Sequence, residues 1–315
     1  MRTTPAAVLA ALLFLGCGPQ DALIDDLEAE EAEVGQALVA GLRGRPLGLD
    51  VAQWNVMWLG NTRFGPTDEA DQLARVSALI RSANVDLWAL QEVSSQAAFD
   101  ALVAQVPGSE GLAATDPRVS GGTSWYSHEE QRPALLFKTR AVTLNSARLV
   151  LTGSASTFAG RPPLEANLSI HINRKTFDLT VIVLHLKAGT GLDDRARRVT
   201  ASALLQAHVA TLSGPVMVLG DWNDRLHGSI APGQTSPFEN WTSSPTTWVT
   251  EPLEGQGLAS SVFGSFIDHA LVTPALLARH QGSSVFDPRA GFPNYRNTTS
   301  DHFPVLHLFT MESAR

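Results

Sequence analysis

The sequence predicts an α/β domain, and three observations carry that prediction. Eight apolar runs with strand character, at 49–58, 85–90, 134–138, 168–172, 177–186, 216–220, 266–272 and 304–309, are interspersed with segments of helical period. Over residues 47–315 no linker-like stretch or internal repeat interrupts them, a length that one α/β domain accommodates. Hydrophobic residues make up 44% of the 315-residue chain, enough for a core without covalent staples.

Residues 1–17 read as a signal peptide and not as part of that domain. A basic start at Arg2 leads into an apolar run at 6–15, too short to span a bilayer but suited to the middle of a secretory signal. Cys17, the one cysteine of the chain, follows the small residue Gly16. This arrangement resembles a bacterial lipobox, although Phe14 stands where such boxes usually carry leucine. A lipid on Cys17 would anchor the mature chain to a membrane face. Gly18 at the next position, where aspartate would retain the protein at the inner membrane, implies the outer membrane, the periplasm or the cell surface. Residues 18–46 form an acidic tether: residues 1–40 carry Arg2 against seven acids, a net of −6, whereas the remaining 22 bases and 24 acids give −2. A coil of this length has a typical reach of roughly 30 Å.

Within the domain, 47–315, the runs at 49–58 and 85–90 bracket a helix, with Thr67 and Asp68 as caps and Leu73, Val76, Leu79 and Ile80 on one face. Further helices are expected over 96–106 and 193–212, the second opening on Asp193 and Asp194 as the helix dipole favours. Residues 107–131 and 222–263, rich in Gly, Ser, Thr and Pro, read as long surface loops of the kind that usually serve a site. Trp54, Trp58 and Trp88 fall in strands and are expected in the core. The single cysteine excludes a disulfide-built fold and a Cys-rich zinc site. A mean hydropathy of +0.01 excludes disorder and a polytopic membrane fold. The nearly neutral domain lacks the electrostatic footprint of a duplex-binding protein, which leaves room only for a local basic groove.

The informative pattern is where polar groups fall. Asn55 lies inside the first run, Glu92 just beyond the second, His185 at the end of the fifth, and Asp221 and Asn223 after the sixth. Asp268 interrupts the seventh, and Asp301 and His302 precede the eighth. One carboxylate at a strand end is often a cap. Six such placements suggest convergence at one edge of a sheet, where open strand ends form sites. Ser300, Asp301 and His302 are no serine triad, because neighbours in an extended chain point to opposite sides and no GxSxG elbow occurs.

In order, the pieces WN (54–55), QE (91–92), HLK (185–187), GDWN (220–223), IDH (267–269) and SDH (300–302) resemble the endonuclease/exonuclease/phosphatase superfamily. These are metal-dependent phosphoesterases related to pancreatic-type deoxyribonuclease, abasic-site endonucleases, neutral sphingomyelinases and inositol polyphosphate 5-phosphatases. The resemblance runs from 47 to 309 and rests on the order and spacing of the pieces, since each alone is common. It implies a four-layer sandwich of two facing mixed β-sheets flanked by helices, with the site at one end of the sheets.

It also implies roles. Glu92 corresponds to a direct Mg²⁺ ligand, with Mn²⁺ as the other cation to expect, since hard oxygens suit hard cations; Asn55 and Asp301 complete or support the metal shell. His302 contacts the phosphate and takes part in water activation, while Asp268 fixes the tautomer of either His302 or His185. Asp221 orients or deprotonates the attacking water, and Asn223 and His185 bind the phosphate. Trp222, between Asp221 and Asn223, points away. Lys187 shares a strand face with His185 and adds positive charge. Arg132 corresponds to a phosphate-gripping arginine, and Arg161 is a weaker candidate for the same work.

The expectation is therefore a secreted, lipid-anchored phosphodiesterase acting as a monomer on a phosphodiester substrate, first of all nucleic acid. A phospholipid phosphodiesterase of sphingomyelinase type uses identical machinery on a headgroup. A binding lipoprotein that kept the fold and lost catalysis is the third reading, opposed by the complete set of catalytic residue types.

Overall fold

The computed structural model describes residues 48–126 and 130–312, so the signal peptide, Cys17 and the tether lie outside the described residues. Among the described residues thirteen strands form two mixed sheets. β1 (Gly48–Leu59), β2 (Leu87–Val93), β3 (Ser109–Ala113), β5 (Arg132–Lys138), β12 (His280–Val285) and β13 (Val305–Thr310) make a six-stranded sheet in the order β12-β13-β1-β2-β5-β3. β4 (Val119–Ser120), β6 (Val142–Leu149), β7 (Leu164–Ile172), β8 (Lys175–His185), β9 (Val216–Asp221), β10 (Thr247–Trp248) and β11 (Asp268–Val272) make a seven-stranded sheet in the order β10-β11-β9-β8-β7-β6-β4.

Each sheet has a βαβ unit near its middle. α1 (Glu69–Ala83) joins the parallel strands β1 and β2, and α3 (Leu192–Val209) joins the parallel strands β8 and β9. The Asp68 carboxylate caps α1 by accepting from the Asp71 N–H at 3.0 Å. The faces that meet between the sheets are apolar: Leu49, Val51, Leu87 and Ala89 from one, Leu179, Val181, Val183, Met217 and Leu219 from the other. The outer face of the six-stranded sheet packs Trp54, Trp88 and Leu136 on α1 and on α2 (Gln96–Ala104). That of the seven-stranded sheet packs Ile182, Leu184 and Val218 on α3 and on an outlying cluster that includes Trp222, Phe238 and Trp241. Helix, sheet, sheet, helix is the four-layer sandwich expected.

Three expectations need correction. Residues 107–131 are not all loop, because 109–113 pair with β5 and 119–120 with β6. Gly111 hides that strand from a propensity reading, yet a Cβ there would lie 2.4 Å from Val103 of α2. Residues 222–263 are not merely a surface loop, since Asp224, Ser229, Phe238, Trp241 and Thr250 are buried within it. Trp58 is not core: left-handed backbone at Met57 and Trp58 turns it outward, where it stacks on Phe64 at 4.7 Å between centroids. Among the described residues no helix is long and apolar enough to cross a membrane.

Candidate active site

Strand alternation carries the apolar inter-sheet face outward into a polar one. In β1, Leu49 and Val51 are followed at a spacing of two by Gln53 and Asn55. In β8, Leu179, Val181 and Val183 lead to His185, and in β9, Met217 and Leu219 lead to Asp221. β11 runs antiparallel to β9, so Val272 and Ala270 lead back to Asp268, directly opposite Asp221. The same period that builds the core thus delivers Asn55, His185, Asp221 and Asp268 to its end, with Gln53 behind them.

Glu92 breaks this period, since Leu87 and Ala89 make 91 the next inward position. Register shifts in the β1–β2 and β2–β5 pairings mark bulges here, and Glu92 has φ +64°, with Met57 at +48° and Trp58 at +54°. Bulges re-aim side chains, and left-handed backbone is costly for residues of this bulk. The outcome is that Glu92 Oε1 accepts from Asn55 Nδ2 at 3.0 Å and Oε2 accepts from the Trp58 N–H at 3.1 Å. Gly220 meets a different demand. It has φ +141°, and a Cβ on it would lie 2.1 Å from the Leu184 carbonyl oxygen, so only glycine fits before Asp221.

The two sheets meet through Asn55, whose Nδ2 also donates to Asp221 Oδ2 at 3.0 Å while its Oδ1 accepts from the Met57 N–H. So oriented, Asn55 offers the two carboxylates an amide donor and not a ligand oxygen. His185 Nε2 lies 3.4 Å from Asp221 Oδ2 and 3.8 Å from Glu92 Oε1. His302 Nδ1 bonds Asp268 Oδ2 at 2.8 Å, and its Nε2 lies 3.8 Å from Asp221 Oδ2, so Asp268 holds His302 and not His185. The loop that carries His302 is fastened to β1: the Ser300 hydroxyl donates to the Asn55 carbonyl at 2.6 Å, and Trp54 Nε1 donates to the His302 carbonyl at 3.0 Å.

Asn223, at φ +55°, donates through Nδ2 to the Leu186 carbonyl at 3.1 Å, and Asp221 Oδ1 accepts from the Asn223 N–H at 2.9 Å. Trp222 points the other way and donates through Nε1 to the His269 carbonyl. Asp301 is half-buried; its charge reaches Glu92 and His302, but it is outside the two groups whose ligand atoms lie within 4.8 Å of one another. Lys187 is directed at Asp194, 3.0 Å away. Arg132 is buried beside the bulge, donating to the Ser94 carbonyl at 3.0 Å. Arg161, which the sequence ranked low, is drawn in more closely. It donates to the His185 and Leu186 carbonyls and bonds Gln131, and its charge acts on Glu92, Asp221 and His185. Gln131 carried no signal in the sequence.

Burial and neighbouring charges set the protonation states. Desolvation pushes the Asp221 carboxyl up to about 7, a rise that the His302 charge opposes and the Asp268 charge adds to. Desolvation also raises Glu92, against the Asn55 hydrogen bond. For His302 burial works downward, but the Asp268 and Asp221 charges outweigh it and hold the imidazole well above its ordinary value. His185 is pushed well below its ordinary value by burial, with Arg161 and His302 adding to the effect. The groups Glu92, His185, Asp221 and Asp221, Asp268, His302 each gather ligand atoms closely enough to hold a metal ion. The donor set fits a hard divalent cation: three carboxylates, of which Glu92 and Asp221 are raised by burial, and a buried histidine kept neutral.

Residues 52–302 match the model of the Endonuclease/Exonuclease/phosphatase family. Among solved structures the chain is similar to TDP2 of D. rerio complexed with single strand DNA product, at 12% identity and a TM-score of 0.60 over 84% of this chain and 99% of that one. It is similar to the 3′ phosphatase NExo from Neisseria bound to a product DNA hairpin, at 17% identity and a TM-score of 0.58 over 83% and 99%. It is similar also to an AP endonuclease from Archaeoglobus fulgidus, at 14% identity and a TM-score of 0.56 over 83% and 99%. At these identities the likeness is one of fold. No curated protein matches the chain in sequence.

Proposed function

The chain belongs to the endonuclease/exonuclease/phosphatase family, and from that premise we propose that it is a Mg²⁺- or Mn²⁺-dependent phosphodiester hydrolase with nucleic acid as its first substrate. One observation carries the reading: Glu92, Asn55 and His302 from the side of one sheet meet His185, Asp221 and Asp268 at the end of the other within a single set of contacts. That DNA stands as product in the TDP2 and NExo structures favours nucleic acid among phosphodiesters.

Glu92 and Asp221, with His185 beside them, would hold the divalent ion, which when bound neutralises charge on the phosphoryl oxygens and polarises the phosphorus centre. The protein's own groups supply position and protons. Asp268 fixes Nδ1 of His302, so Nε2 faces the cleft and, held protonated, donates to a phosphoryl oxygen. Asp221, whose carboxyl burial raises to about 7 in the absence of the ion, would be held ionised as its ligand and orient the attacking water. His185 stays neutral and leaves a lone pair or one N–H for the ion or the phosphate. Asn223 has a second amide N–H to offer, and Arg161 adds positive charge behind the cluster.

The purified domain should hydrolyse bis(p-nitrophenyl) phosphate with Mg²⁺ or Mn²⁺ and lose that activity in EDTA. Activity unchanged by the chelator would overturn the metal dependence. A panel of single-stranded DNA, duplex DNA, RNA, sphingomyelin and inositol phosphates tests the substrate, and turnover confined to sphingomyelin would move the reading to a lipid headgroup. The same proposal includes the lipid anchor: labelling with a radioactive fatty acid should mark the chain and vanish in Cys17→Ala.

A further inference from the structure

The side chain of Arg198, on α3, is completely buried and touches none of the candidate catalytic groups. Its Nε donates to Asp224 Oδ2 at 2.9 Å, and Nη2 lies 2.8 Å from the same oxygen. Nη1 donates to the Lys187 carbonyl at 2.7 Å and to the Gly189 carbonyl at 2.9 Å. One guanidinium therefore holds the segment just after His185 and the residue just after Asn223. Asp224 is organised on its other side by donors from its own loop: Oδ1 accepts from the Arg225 and Ile230 N–H groups, and Oδ2 accepts from the Ser229 hydroxyl.

Between these two grips lies Leu186. Its N–H donates to the Asp221 carbonyl at 2.9 Å, and its carbonyl accepts from Asn223 Nδ2 and from Arg161. The gap between the β8 and β9 ends is thus set at Leu186 and set again, from below, by the Arg198–Asp224 pair. A fully buried ion pair is weak ground for a purely stabilising role, because apolar replacements of both partners are often neutral or stabilising. What the pair supplies that apolar groups lack is direction, since a rigid planar fork addresses three acceptors at once.

We propose that Arg198 is a positioning residue for the hydrolytic site, fixing through Asp224 and the 187–189 carbonyls the separation of His185 from Asp221 and Asn223. The inference rests on the hydrolase reading above, and goes beyond it in assigning the geometry of the β8 and β9 ends to a group that touches neither substrate nor ion. Small misplacements of reacting groups cost rate far more than they cost binding.

Two variants test it. Arg198→Lys keeps the charge pair with Asp224 but gives up the fork. The double variant Arg198→Met with Asp224→Asn removes both buried charges and leaves the 224 side chain able to bond Ser229 and the loop amides. Steady-state kinetics on bis(p-nitrophenyl) phosphate with Mn²⁺ should be measured beside thermal melts titrated with Mn²⁺, at a temperature where each variant is folded. The expected result is a fall in kcat of about 10- to 100-fold in each folded variant with KM within about threefold. The Mn²⁺ concentration that gives half the melting shift should rise, including in a variant whose metal-free melting temperature equals that of the wild type. A folded Arg198→Lys with kcat within twofold of wild type and an unmoved Mn²⁺ midpoint overturns the positioning role, whatever the double variant does. A wild type that neither hydrolyses the diester nor gains stability from Mn²⁺ overturns the hydrolase reading itself, and this inference with it.

Discussion

In the six-stranded sheet α1 bridges β1 and β2; in the seven-stranded sheet α3 bridges β8 and β9, and each helix drives one completely buried polar side chain beneath the strand ends that carry the site. On α1 this is Gln72, whose Nε2 lies 2.9 Å from the Val56 and Met57 carbonyls and 3.1 Å from that of Thr299. On α3 it is Arg198. A neutral amide suffices under β1, where the acceptors are carbonyls alone, whereas the ion pair stands where a carboxylate must be held as well. The halves also differ in how they aim their acids. Glu92 is brought in by bulges and left-handed backbone, while His185 and Asp221 end strands in unbroken register. One half stores its geometry in backbone strain, the other in a side-chain network.

If both halves contribute one indispensable acid, Glu92→Gln and Asp221→Asn should each lower turnover of a phosphodiester by about 10³-fold while the folded far-UV spectrum is kept. A tenfold asymmetry between them would show that one sheet carries the chemistry and the other only frames it. Next in size is Gln72→Leu, which leaves buried carbonyls of both the β1 end and the His302 loop without their donor. It should cost about 2–4 kcal/mol in urea unfolding, and a loss below about 0.5 kcal/mol would remove Gln72 from the comparison.

A smaller effect lies in the pH dependence of the cluster where the halves meet. Asp221 and His302 both have folded values raised above their unfolded ones, so the metal-free fold binds more protons there than the unfolded chain. Such a contribution is complete below the unfolded value and is lost as pH rises through the folded one. Between pH 6.5 and 8 the metal-free wild type should therefore lose about 1 kcal/mol of stability relative to Asp221→Asn, a difference that saturating Mn²⁺ offsets. A wild-type slope no steeper than that of Asp221→Asn would contradict the burial of that carboxyl. The buried histidines His269 and His307, each pushed down to about 3, are neutral in the fold but half protonated in the unfolded chain at the start of the window, so they act in the opposite sense and equally in both proteins, and the comparison cancels them. Smallest of all is Lys187→Ala. With its ammonium on Asp194 near the surface, it should change stability by no more than about 0.5 kcal/mol and turnover by no more than about twofold. A tenfold loss of turnover would return Lys187 to the phosphate.

Asn55, His185, Asp221 and Asp268 were legible because period-two alternation places them on the inward face that the preceding apolar residues define, and such a face is written in local order. His302 was legible as a type and in position, but its partner was not, because the sequence does not say which histidine meets the β11 aspartate. Glu92 was legible by its neighbours alone, since its own phase points it away and only the bulge corrects that. The strands β3, β6 and β12, at or next to the sheet edges, went unread for a related reason: their residues answer to a partner strand or helix, as Gly111 does to Val103, and not to their own propensity.

By itself the sequence determined the α/β class, the inward faces of the central strands and the chemical types gathered at their ends, because these follow from the side-chain period and from residues a few positions apart. Only the tertiary structure decided that Asp268 holds His302, that Asn55 spans the two sheets, that Lys187 turns to Asp194, and that Gln72 and Arg198 lie beneath the site. Those pairings join residues that are mostly far apart along the chain, and their strength comes from burial, which exists only once both sheets and their helices have closed on one another.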